Sequence, residues 1–170
     1  MKTIIVLAMH GAPPKDFPRQ TLREFFGLSM KLEHGDEELE AEPQGRYEEL
    51  ERQVRQWPRT PHNDPFHAGS LELARNLQAA LDSEVIVGFN EFCSPSLDDA
   101  FNQAVEQGAG KIIVVTPMMT RGGEHSEKDI PEAMDRARQR HPEVEFRYAW
   151  PVPLAETVRF LAAQVSRLMD

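Results

Sequence analysis

At 170 residues the chain is long enough for one domain with a real core and too short for two comfortable ones. Hydrophobic residues make up 40% and charged residues 28%, the proportions of an ordinary globular protein, and the formal net charge of −9 argues against nucleic acid or an anionic membrane surface as partner. With a single cysteine, Cys93, neither an intramolecular disulfide nor a cysteine-rich metal cage can form, so any metal must be held by His, Asp or Glu.

Thr3 to Met9 is a nearly continuous apolar run, ended by His10-Gly11-Ala12-Pro13-Pro14. Such a run closed by Gly and Pro predicts a buried parallel strand. It is too short for a signal peptide, and no run approaches the roughly 18–20 residues that span a bilayer, so a cytoplasmic location is expected. Residues 14–65 differ in character: they hold six prolines and the acidic cluster from Asp36 to Glu40. Two helices are predicted there. Arg19 to Leu32 carries Leu22, Phe25, Phe26 and Met30 at helical spacing, and Tyr47 to Trp57 carries Leu50, Val54 and Trp57. Its aromatic content is too high for disorder, so the segment reads as an insertion packed on the core.

The remainder alternates. Phe66 to Leu81 is an amphipathic helix and Val85 to Phe89 a strand. Ser96 to Gln107 is a helix that Ser94 or Ser96 can cap, Ile112 to Val115 a strand, and Ser126 to Arg140 a helix. Val144 to Trp150 is a strand, and Leu154 to Leu168 the last helix. This rhythm predicts an α/β fold over residues 1–170, a three-layer, flavodoxin-like sandwich with a central parallel sheet and a partly helical insertion after the first strand.

Ligands of such sheets bind beyond the carboxyl ends of the strands. His10 follows the first strand, and Gly11 permits a turn and close approach of a ligand; a turn histidine bonded to its own backbone would look the same. Glu91 follows the second strand, where a solvated carboxylate is equally natural. His125 follows the Gly122-Gly123 pair, which suggests a tight loop entering a helix, although a mobile surface loop would share the pattern. Asp129, one turn later, can orient the imidazole or simply favour the start of a helix. Cys93 reads as a small packed residue. His67, His34, His62 and His141 read as cap, surface or insertion residues. Taken together, His10, His125 and Glu91 fall on one sheet edge, and two imidazoles with a carboxylate suit a divalent ion of the cobalt, nickel, iron or zinc type. A phosphate or nucleotide binder is the weakest alternative, since neither G-x-G-x-x-G nor a Walker pattern is present.

The same residues carry a family likeness. His10-Gly11 after an apolar strand, Phe89-Asn90-Glu91 before Pro95-Ser96-Leu97, Val114-Val115-Thr116-Pro117, and above all Gly123-Glu124-His125 through Asp129-Ile130-Pro131 resemble the class II tetrapyrrole metal chelatases of the sirohydrochlorin cobaltochelatase and ferrochelatase type. The likeness covers residues 1–12 and about 66–170. It implies that His10 and His125 bind the metal and take part in proton transfer, and that Glu91 assists. Gly11, Arg121, Gly122 and Gly123 would contact the substrate, with Asp129 behind the ligands. The implied reaction inserts Co²⁺, Fe²⁺ or Ni²⁺, as substrate, into a tetrapyrrole such as sirohydrochlorin, within tetrapyrrole or cobalamin biosynthesis, with no permanently bound cofactor and a homodimer as the expected assembly. The chain departs from the family in carrying Ala12-Pro13 where Ser-Arg is common, and in its 14–65 insertion. A non-catalytic metal or tetrapyrrole carrier or sensor on the same fold is therefore the alternative. Sirohydrochlorin is a polycarboxylate, so local cations such as Arg121, Lys128, Arg19 or Arg23 would have to offset the net negative charge.

Overall fold

The computed structural model describes residues 1–34 and 41–169; the acidic stretch Asp36–Glu40 lies outside them. Among the described residues the strands are β1 (Thr3–Met9), β2 (Val85–Phe89), β3 (Lys111–Val115) and β4 (Glu145–Tyr148). The helices are α1 (Arg19–His34), α2 (Ala41–Gln56), α3 (Pro65–Leu81), α4 (Leu97–Glu106), α5 (Ile130–Arg140) and α6 (Leu154–Ser166). The strands form one parallel sheet in the order β2-β1-β3-β4. The chain therefore leaves β1 toward one edge and returns on its other side, which makes the β1–β3 boundary a topological switch point.

The continuous apolar character of β1 follows from burial on both faces. Ile4, Val6 and Ala8 join Ile112, Val114, Phe101 and Met134 under α4 and α5. Leu7 and Met9 join Val87, Phe89 and Ala74 under α3. Helix α4 starts at Ser96, not Ser94: the Ser96 hydroxyl accepts from Asp99 N, and the Asp99 carboxylate accepts from Ser96 N. Such a cap contributes about 1 kcal/mol. Gly88 lets this helix close on β2, since a side chain there would meet Leu97 and Ala100 at 2.9 and 3.0 Å.

Helices α1 and α2 pack on each other. Arg46 of α2 donates to both carboxylate oxygens of Glu24 on α1, at 2.7 and 3.0 Å, and Phe25 stacks on Tyr47. Phe25, Leu50 and Val54 form a small core with Phe17, closed by Phe92 from the loop after β2. The expected apolar face of α1 is corrected here. Phe25 is buried and Leu22 half-buried, but Phe26 and Met30 are exposed. Helix α6 shows a second departure from expectation. It buries none of its residues, and Leu154, Val158, Phe160, Leu161 and Val165 all face outward. No helix among the described residues is long and apolar enough to cross a membrane.

Candidate metal centre

The parallel register carries β1 and β2 to the same level, Met9 beside Phe89. Beyond it the two exits stay zipped: Asn90 N donates to Met9 O at 2.9 Å and Glu91 N to His10 O at 3.0 Å. His10 and Glu91 are thereby set side by side at the sheet edge. The expected helix from Ser126 begins differently. Residues His125–Asp129 form a single π turn before α5, wider than an α-helical turn and of a type frequent at functional sites. Two bonds hold it. The Ser126 hydroxyl donates to Met118 O at 3.1 Å, and Tyr148 Oη donates to Ser126 O at 3.0 Å. Burial pushes the Tyr148 phenol up to about 12, so it remains a donor across the working pH range.

His10, Glu91 and His125 meet there. His10 Nδ1 donates to Gly11 O at 2.7 Å, which leaves Nε2 with its lone pair, 3.8 Å from Glu91 Oε1. His125 Nε2 lies 2.7 Å from the same oxygen, and its Nδ1 bonds Asp129 Oδ2 at 2.5 Å. The two rings meet edge to face with centroids 4.5 Å apart. One ligand atom from each of the three residues falls within 4.8 Å of the others. Two donors bound at about 2.1 Å on opposite sides of one ion are about 4.2 Å apart, so the three atoms lie near the spacing that a shared ion requires. Three donors leave positions open on the ion for a substrate. Asp129 occupies the place of the carboxylate that commonly fixes a ligating imidazole.

The backbone carrying Glu91 is braced from two sides. Gly11 has φ +107° and packs so closely on this loop that a Cβ would sit 1.9 Å from Glu91 O. Only glycine can occupy the position without displacing the Glu91 backbone. From the insertion, Arg55 donates to Asn90 O and Cys93 O, each at 2.9 Å, and Arg59 donates to Phe92 O at 2.5 Å and Ala12 O at 2.7 Å. Arg59 also pairs with the buried Asp64 carboxylate. Phe92 itself is held at φ +57°, a rare conformation for a large side chain, with its ring in the insertion's core.

A cavity of about 670 Å³ opens beside Glu91 and His125, lined on the sheet side by Asn90, Glu91, Phe92, His125 and Asp129 and on the insertion side by α1 and α2. Of the residues expected to contact substrate, Gly123 lines a second cavity on the other side of His125. Arg121 and Gly122 are exposed in the preceding turn and line neither, and Gly11 is buried against Glu91 O. Arg19 and Arg23 are exposed away from the larger cavity, whose cations are Arg55 and Lys128. Cys93 is buried, and burial pushes its thiol up, as fits a packed residue rather than a ligand. His67 is half-buried at the start of α3 and stacks on Phe89, where burial lowers its pKa. Arg55 and Arg59 were not among the residues expected at the site. Their charge and position in a polar, proline-rich stretch gave no signal of burial.

A sequence model of the CbiX family matches residues 63–168 of the chain. The chain is 35% identical over 72 residues to a sirohydrochlorin ferrochelatase of Priestia megaterium, a match covering 42% of this chain and 27% of that protein. It is 36% identical over 64 residues to a sirohydrochlorin cobaltochelatase of Methanopyrus kandleri, covering 37% of this chain and 44% of that protein. The chain thus spans less than half the length of either relative. Among solved structures, the sirohydrochlorin chelatase of Bacillus subtilis subspecies spizizenii in complex with cobalt superposes with a TM-score of 0.45 at 20% identity, covering 89% of this chain and 44% of that one.

Proposed function

The chain belongs to the CbiX family, and on that premise we propose that it is a chelatase, inserting a divalent metal ion into a tetrapyrrole of the sirohydrochlorin type. The observation that supports this reading is the convergence of His10, Glu91 and His125, the last two of which line the cavity. Metallation exchanges two pyrrole N–H protons for one divalent ion. In this reading the three side chains hold the incoming ion. As it moves to the macrocycle it vacates Nε2 of His10 and of His125, and these two lone pairs take the two protons. An ordinary imidazole accepts a proton near neutral pH, so the exchange needs no other base. Glu91, whose Oε1 is near Nε2 of both rings, offsets the positive charge they acquire. The metal is a substrate and no resident cofactor is required.

The proposed ion is cobalt, iron or nickel. All three ions suit a His and carboxylate set, and relatives named for cobalt and for iron match at similar identity, 36% and 35%, so metallation with the three ions in parallel decides among them. No observation favours the carrier or sensor reading over turnover. The test is single-turnover metallation of metal-free sirohydrochlorin followed by visible absorbance, with Co²⁺, Fe²⁺ and Ni²⁺ in parallel. Acceleration above the spontaneous rate with at least one ion is expected. A rate no faster than the spontaneous one with every ion would overturn the proposal.

The proposed assembly is a homodimer. Helix α6 carries an apolar stripe of Leu154, Val158, Leu161 and Val165 yet buries nothing, whereas such a stripe is normally packed against a core. On β3, Ile113 and Val115 are only half-buried while Ile112 and Val114 on the other face are fully buried. Helix and half-bare sheet face belong to the same chain, so two copies can cover each other. Sedimentation equilibrium should give the mass of two 19.4 kDa chains, and removal of residues 154–170 should abolish that association. A full-length chain that sediments as a monomer at micromolar concentration would refute the dimer.

A further inference from the structure

The cavity has two unlike walls. One carries the metal ligands His125 and Glu91 with Asp129 behind them; the other is built by α1 and α2, which lie in the 14–65 insertion and outside the residues matched by the family. The insertion contributes the aromatic residues Phe25, Phe26 and Tyr47 beside the polar Ser29, Glu51 and Arg55, with Phe92 reaching across from the loop after β2. Phe25 and Phe92 are buried, and their rings brace that of Phe26, with centroids 5.6 and 5.9 Å from it. Phe26 itself remains 43% exposed. A large ring held by two buried neighbours and left open toward a metal site is a preorganised apolar surface.

We propose that the insertion supplies the seat for the tetrapyrrole plane, with Phe26 as the residue that contacts it and thereby sets specificity for a flat macrocycle. The proposal rests on the chelatase reading above and adds the part of the chain that binds the organic substrate. A flat conjugated ring system has two needs in this reaction. One face must be presented to the metal donors, and the other must be shielded from water by something apolar that does not compete for the metal. Glu91 and His125 serve the first, with His10 beside them, and Phe26 the second. A cavity of about 670 Å³ is within the roughly 300–1,000 Å³ range of small-molecule sites. At its rim stands Lys128, paired with Glu124 at 3.2 Å but mostly exposed, a cation available to a peripheral carboxylate of the substrate. The remaining lining carboxylates, Glu51, Glu91, Glu124 and Asp129, disfavour a ligand that is anionic throughout. They accept one whose charges sit on its periphery and whose centre is neutral, as in a tetrapyrrole with acidic side chains.

The test titrates metal-free sirohydrochlorin into wild type, Phe26→Ala and Phe26→Trp without metal, following the absorbance of the bound macrocycle. Co²⁺ titration of each protein, which reads the three ligands, serves as the folding control. Stacking of a planar heterocycle on an aromatic side chain is typically worth a factor of about ten in affinity. Phe26→Ala is therefore expected to weaken macrocycle binding roughly ten-fold, and Phe26→Trp to preserve it. Wild-type affinity in Phe26→Ala, with the wild type binding well, would overturn the seat and leave the chelatase reading standing. No binding of the macrocycle by the wild type would instead count against the chelatase reading itself.

Discussion

His125→Ala is expected to abolish Co²⁺ binding at the site and with it any acceleration of metallation above the spontaneous rate. The argument lies in how much of the centre passes through this imidazole. Its Nε2 is 2.7 Å from Glu91 Oε1, its Nδ1 is bonded to Asp129, and its ring abuts that of His10. Removing it leaves one imidazole and one carboxylate 3.8 Å apart, a pair with too few donors to hold a divalent ion against water. Asp129→Asn tests the geometry more gently. It keeps the size of the side chain but removes the charge that orients the ring, and changes of this kind typically cost about 10–100-fold in metal affinity. Visible absorbance of bound Co²⁺ measures both variants. The order wild type, Asp129→Asn, His125→Ala in falling affinity is the expected result. Wild-type affinity in His125→Ala would mean that the ion binds elsewhere and that the three residues are only a hydrogen-bonded cluster.

The meeting of His10, Glu91 and His125 was legible in the sequence, because all three stand where chain topology puts ligands. His10 and Glu91 each follow an apolar run, and the register of two parallel strands is enough to bring such positions together. His125 and Asp129 are four residues apart, and either an α or a π turn places them on one side of the chain. What could not be read was everything that depends on remote partners. The outward aspect of Phe26 and Met30 is one case: apolar spacing marks four residues of α1 as a face, but the number that are buried depends on the width of the partner surface. Helix α6 is another, since its pattern announces an apolar helix without saying what covers it. The role of Gly11 is a third. The sequence suggests room for a ligand, whereas the neighbour that requires glycine is the carbonyl of Glu91, eighty residues away in the chain.

The arginines of the insertion are the clearest example of what pattern cannot reveal, and they yield the largest expected effect on stability. Arg59→Ala should lower the folding free energy by about 3–5 kcal/mol, because it leaves a buried carboxylate without its partner. The Arg59 and Asp64 side chains are only 7% and 1% exposed. Asp64 retains the backbone N–H of His67 at 2.9 Å as helix cap and a weak contact to Cys93 Sγ, neither of which carries a compensating charge. The carbonyls of Val54, Ala12 and Phe92, all of which accept from the guanidinium, lose a donor at the same time. A typical domain has about 5–15 kcal/mol in total, so the variant should sit near the edge of unfolding at 25 °C. Arg59→Lys restores the charge but not the planar fork that reaches several carbonyls at once, and should recover only part of the loss. Urea unfolding of the three proteins, read as a shift of midpoint at constant slope, measures the effect. Because Arg59 joins the first loop, the insertion and the Glu91 loop, the same substitution should weaken Co²⁺ binding even in the fraction that remains folded. A loss under about 1 kcal/mol, the range of solvent-exposed pairs, would show that the pair is hydrated in solution and that the insertion is held to the sheet by its aromatic core alone.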